Sequence, residues 1–163
     1  MYRLFTQRSQ PGFTLIEMMI VIIIIAIIFS FAVPQLARFT GRKKLSVEAA
    51  KLAEVLDVAR SYASTERVPY AVMIDAAAKE YFYYRPSDVI EGRTPQQCHR
   101  GTLYKIDTSV RVTTGTTTVL FTKQGRLSAS NDSTITLAGA LGQRIDIVVN
   151  YRTGKVTEGT IYS

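Results

Sequence analysis

Glu17 is the one ionisable side chain in an otherwise apolar run. From Phe13 to Val33 the only polar side chains are Thr14, Glu17 and Ser30. A carboxylate carried unpaired to the middle of a bilayer costs about 2.5–3.5 kcal/mol. It therefore needs a cationic partner, or a place at headgroup level where the positive end of a helix stabilises it. Four residues before it stands Phe13, preceded by Gly12. Glycine presents no side chain, so it suits a position where a cleft must close on bare backbone.

Other chemistry-bearing residues are scattered. Cys98 is the only cysteine and His99 beside it the only histidine. Neighbours in an extended loop point in different directions, whereas a nucleophile and its base usually come from different elements. A single cysteine also excludes an internal disulfide and a zinc site of the several-cysteine type. Asp75, Asp88, Asp107, Asp132 and Asp146 lack metal-ligand spacing, and the glycines Gly125, Gly142 and Gly154 read as turns rather than a phosphate cradle. No cofactor is expected, and no catalytic residue. The formal charge of +7 is spread along the chain apart from Arg38, Arg42, Lys43 and Lys44, so composition alone does not establish a nucleic-acid partner.

The elements that position these residues are legible from periodicity. Residues 1–12 form a short polar leader with Arg3 and Arg8. Residues 13–34 are a membrane helix: about twenty apolar residues at about 1.5 Å rise span a bilayer core. An apolar run this long with no polar face is not the core helix of a small soluble protein. It also lacks the small-residue cleavage site of a secretory signal, because Pro34 is followed by Gln and Leu. Residues 35–64 continue the helix in amphipathic form. Leu45, Ala49, Leu52, Leu56, Ala59 and Ala63 make a core-facing stripe, widened by Val55, Val58 and Tyr62, with Lys43, Lys44, Glu48, Lys51, Glu54 and Arg60 on the other face. Pro34 removes one backbone bond and predicts a bend, and Gly41 a second soft point.

From residue 65 to 163 the period falls to two. PYAVMID and KEYFYYR predict a hairpin, 85–101 a loop, and LYKIDTSVRVTT, TTTVLFT, STITLAG, QRIDIVVNY and KVTEGTIY further strands. In the aromatic run Tyr81 to Tyr84, alternation predicts two rings inward and two outward. The fold class is α+β: a long N-terminal helix, first transmembrane and then amphipathic, packed on an antiparallel β-sheet domain.

The string Gly12-Phe13-Thr14-Leu15-Ile16-Glu17, with a basic leader before it and a long apolar helix after it, resembles the N-terminal signature of type IV pilins and pseudopilins. The resemblance implies that a prepilin peptidase cuts between Gly12 and Phe13 on the cytoplasmic side and methylates the new N-terminus. The membrane helix, which follows the cut, survives it. The freed α-amine of Phe13 is a cation at neutral pH, and pairing with Glu17 of a neighbouring subunit would set the axial register of a filament. Arg60 to Asp75, TVLFTKQGRL and GQRIDIVVNYRTGKV are similar to the domain of minor pseudopilins of the H type (GspH) and of the minor pilins FimT and FimU. This chain has neither the closing disulfide of major pilins nor an acidic cluster in its tail, such as the calcium-binding loop of major pseudopilins would supply.

The resemblance implies a structural assembly subunit that starts or caps a short periplasmic pseudopilus in type II protein secretion. A FimT- or FimU-like minor pilin that primes type IV pilus assembly is the alternative. The partners implied are other pseudopilins or pilins, the prepilin peptidase, the inner-membrane assembly platform and inner-membrane lipid, with the C-terminal domain in the periplasm. DNA is a lesser candidate, through Arg126, Arg144, Arg152 and Lys155. The count of Arg and Lys at the two membrane ends points the other way. Two lie before the helix and four after it, and the positive-inside tendency alone would keep the domain in the cytoplasm. Cations past Pro34 are then left to meet lipid phosphates on the far side or acids of neighbouring subunits. The expected mature chain begins at Phe13 with one added methyl group. Intact mass with N-terminal fragmentation of protein from its native membrane checks this, and a chain still beginning at Met1 would overturn it.

Overall fold

Helix α1 runs from Leu15 to Glu66 in a computed structural model that describes residues 12–89 and 93–163. Arg3 and Arg8 of the leader, and Gly92 of the long loop, lie outside the described residues. The chain divides into two units, Met1–Ala37 and Arg38–Ser163. In the first, every described side chain is exposed, and the helix is long and apolar enough to cross a membrane. Pro34 lies within α1.

The second unit is built around the rest of α1. Eight strands follow it: β1 (Tyr70–Asp75), β2 (Glu80–Tyr84), β3 (His99–Lys105), β4 (Val110–Val112), β5 (Thr117–Phe121), β6 (Ser133–Gly139), β7 (Arg144–Val149) and β8 (Val156–Glu158). They form two four-stranded sheets with orders β3-β2-β1-β5 and β4-β6-β7-β8, and every pairing is antiparallel. The expected α+β class, a long helix on antiparallel sheet, is what forms. Leu45, Ala49, Leu52, Leu56, Ala59 and Ala63 are all buried against residues of both sheets, among them Val72, Ile74 and Phe121 from the first and Ile135, Leu137 and Ile147 from the second. Alanines at four of the buried helix positions let the backbone of α1 approach both sheets closely.

Three sequence expectations are corrected. Glu48, placed on the polar face, is only 6% exposed; two sheets cover more of the helix than one stripe, and the exposed Lys51 binds the carboxylate from outside at 2.8 Å. LYKIDTSVRVTT is two strands in different sheets. The Asp107 carboxylate accepts from the Ser109 N–H at 2.8 Å and its hydroxyl at 2.5 Å, and the Val110 N–H donates to the Asp107 carbonyl. That turn carries the chain from one sheet to the other. In the aromatic run, Tyr81, Phe82 and Tyr84 are all buried. Alternation holds, but the outer face of the first sheet is covered too: Phe82 and Tyr84 pack with Ala71, Val89, Leu103 and Leu120 under the loop after β2. Tyr83, half-buried, faces the other way and stacks on Tyr62 at 5.8 Å.

The end of α1 is clasped to β1 and to the residue after β2. The Tyr70 hydroxyl donates to Glu66 at 2.7 Å, the Arg85 Nε donates to the Tyr70 oxygen at 3.0 Å, and Arg85 is ion-paired with Glu66. The Tyr70 bond and then Arg85 hold the Glu66 carboxyl below its usual value, against a smaller opposing effect of burial. A depressed folded value means that the stabilisation is complete above the unfolded value of 4.5 and is lost as pH falls through the folded one. The stability advantage of the native chain over Glu66→Gln is therefore expected to be present at neutral pH and to shrink as pH falls below the unfolded value of 4.5. Denaturation midpoints across that range measure it, and a gap that stays constant would refute the clasp.

Candidate functional site

Two regions hold the residues singled out in the sequence. At the start of α1, Gly12 is exposed, and a methyl group built on it would meet nothing within 4 Å. Phe13 is 74% exposed. The Thr14 hydroxyl oxygen accepts from the Glu17 N–H at 3.3 Å, and the Thr14 carbonyl from the Met18 N–H at 3.3 Å. Thr14 is thus the N-cap, with Glu17 in the third helical position. The Thr-x-x-Glu spacing of a capping box was there to be read in TLIE and was missed. Its effect is to begin the helix just after Phe13, leaving the Gly12–Phe13 peptide non-helical and open to a cleft. The Glu17 carboxylate is exposed in the first turn of α1 and makes no ion pair among the described residues. Its charge is stabilised by the helix N-terminus and stays available to a cation from elsewhere.

The second region lies at the far turns of the β-domain. In the β5–β6 connection the Gly125 N–H donates to Thr122, and the Thr122 N–H to Arg126. In the β7–β8 turn Asn150 takes the N–H groups of Arg152 and Thr153 on its side-chain oxygen, both at 3.1 Å. These two turns touch. A β-carbon on Gly154, whose φ is +66°, would lie 1.9 Å from the Gly125 carbonyl oxygen, so only glycine fits there. This contact brings Arg126, Arg152 and Lys155, all exposed, to one end of the domain beside Arg60 of α1. Arg144 stands apart at the opposite end of β7, where its backbone pairs with Tyr162. Asp146 lies near Arg144 and is engaged by Thr136 at 2.6 Å and by Tyr162. The four cations thus divide three to one.

Cys98 is buried, and its thiol donates to the Asp88 carbonyl at 3.1 Å, while Arg100 binds the Asp88 carboxylate at 3.1 Å. A further polar group, the buried Tyr81 hydroxyl, had no signal in the local residue pattern. Burial first, and then the charge of Glu48, push the Tyr81 phenol well above its usual value, so it stays protonated and serves packing.

Residues 7–33 match the family described as the prokaryotic N-terminal methylation motif. No curated protein matches the chain as a whole. Among solved structures it is similar to the type IV minor pilin FimU of Pseudomonas aeruginosa strain PAO1, at 16% identity and a TM-score of 0.58, over 75% of this chain and 92% of that one. It is also similar to the minor pseudopilin EpsH from the type 2 secretion system of Vibrio cholerae, at 7% identity and a TM-score of 0.52, over 72% of this chain and 97% of that one. The structural likeness shows the fold, and the motif supplies the N-terminal signature. The chain thus has a pilin-like fold and carries the N-terminal methylation motif.

Proposed function

We propose that the chain is a minor pseudopilin: a membrane-anchored structural subunit that starts or caps a short periplasmic filament of a type II secretion system. The observation that carries the assembly role is the site at the start of α1, a bare Gly12–Phe13 peptide followed by a capped helix whose first-turn carboxylate makes no ion pair among the described residues. FimU and EpsH are themselves structural subunits, one of a pilus and one of a secretion filament. Cutting after Gly12 makes the Phe13 α-amine, and Glu17 of the adjacent subunit receives it. Once the cation is in place the carboxylate enters an apolar helix bundle without the cost of an unpaired charge. The apolar helix then exchanges lipid for neighbouring helices. Pro34, lacking an N–H for the Ser30 carbonyl, allows the helix to bend as it does so.

One observation favours a second reading, a pilus subunit that binds DNA. The touching turns place Arg126, Arg152 and Lys155 together, as phosphate contacts require. Replacing all three with Gln is then expected to flatten the log–log salt dependence of DNA binding by about 2.7, at about 0.9 per cation. Binding that is absent, or has an unchanged slope, removes this reading.

For the main reading, Glu17→Ala should still insert and still begin at Phe13, yet its recovery with other pilin-like subunits after cross-linking in the native membrane should fall about tenfold or more, the factor that about 1.4 kcal/mol represents. Undiminished recovery would show that Glu17 plays no part in docking.

A further inference from the structure

The excess of cations after Pro34 has a structural counterpart on the Arg38–Ser163 unit. Arg38, Arg42 and Lys43 are exposed on α1 and meet no carboxylate among the described residues; Lys44, by contrast, pairs with Asp107 at 3.7 Å. Beside them the β6–β7 hairpin docks on the helix. A β-carbon built on Gly41 would lie 3.7 Å from Leu141 Cδ1 and 3.5 Å from Gln143 Oε1, ordinary van der Waals distances, so the hairpin tip lies directly against the helix at this point. Gln143 is buried by the contact, while Leu141 at the hairpin tip stays 54% exposed. Phe39, 58% exposed, carries Lys43 over its ring at 5.5 Å. Arg144, exposed at the start of β7, follows directly from the same tip.

Two exposed apolar side chains, Phe39 and Leu141, thus share one end of the unit with a group of unpaired cations. This is the composition of a surface that lies in a bilayer interface, apolar groups among the acyl chain ends and cations at the phosphates. We infer that this end of the β-domain rests on anionic phospholipid through Phe39, Leu141, Arg38, Arg42, Lys43 and Arg144. The inference rests on the membrane-anchored reading. The sequence supplies the source of the lipid, because the apolar run ends at Val33, only a few residues before Arg38, so the tether presents this end to the headgroups at high effective concentration. Each cation near an anionic leaflet strengthens such contact about fivefold. The count that contradicted the expected orientation is then explained by attraction to headgroups on the side where the domain stands.

The test uses the full chain in nanodiscs of phosphatidylcholine alone or mixed with phosphatidylglycerol, in a Cys98→Ala background with a fluorophore on Leu141→Cys or, at the distal β5–β6 turn, on Lys123→Cys. Brominated lipid is expected to quench the label at 141 several times more than that at 123. The difference should appear with phosphatidylglycerol, weaken in high salt and weaken in Arg38→Gln/Arg42→Gln. Equal quenching at the two sites in inserted protein, or quenching at 141 that ignores lipid charge, overturns the inference and leaves the anchor intact. Shielding of 141 only when another pilin-like subunit is added assigns the surface to protein and overturns it as well. Failure of the chain to enter the discs overturns the anchored reading itself.

Discussion

Burial of one face of α1 between two sheets is the constraint from which the rest of the structure follows. The sheets share no strand; what joins them is the stripe from Leu45 to Ala63, which touches both. Leucine supplies the apolar area at Leu45, Leu52 and Leu56, each worth about 1.5–3 kcal/mol on full burial. The intervening alanines keep the helix close enough for both sheets to reach it. This seam engages only the second half of the helix, and every large apolar side chain from Phe13 to Val33 is exposed. An apolar helix in that state requires lipid or other helices.

Much of this was legible in sequence because it depends on period. The stripe at steps of three and four, the Tyr70–Asp75 and Glu80–Tyr84 hairpin and the run Ser133–Gly139 follow directly from spacing and turn residues. Failures arose where tertiary context overrode a local rule. Glu48 looks polar on a helical wheel, yet in the fold it is buried, close enough for its charge to act on Tyr81 of the first sheet. Tyr81 to Tyr84 alternate as expected, but no local signal says that Val89, in the loop after β2, will close over Phe82 and Tyr84. The break at Asp107 was present as an Asp-x-Ser turn inside what reads as one strand. The start of α1 was half legible: the residues were identified, but the capping role of Thr14 was not. The meeting of Gly125 with Gly154 was beyond reach, since nothing local links two turns so far apart in sequence, and without that contact Arg126 and Lys155 look unrelated.

The domain therefore has two ends with different chemistry. At one end cations stand beside exposed apolar side chains, Phe39 and Leu141. At the other, cations stand on tightly hydrogen-bonded turns, and the aromatic ring beside them, Tyr151 under Arg152 at 5.3 Å, is half-buried. Ligands with dispersed negative charge suit both, but only the first can also accept an apolar phase. Net charge alone does not reveal this difference between the two ends.

The buried helix positions from Leu45 to Ala63 have a mechanical consequence. They span eighteen steps of α1, about 27 Å of axis at about 1.5 Å per residue. A pull along the helix is therefore loaded in shear across the whole seam at once, instead of peeling contacts away one by one. The Glu66–Tyr70–Arg85 clasp closes the far end of that seam, so the terminal turn does not fray under load. Under such a pull the second half of α1 and the two sheets would move as one body.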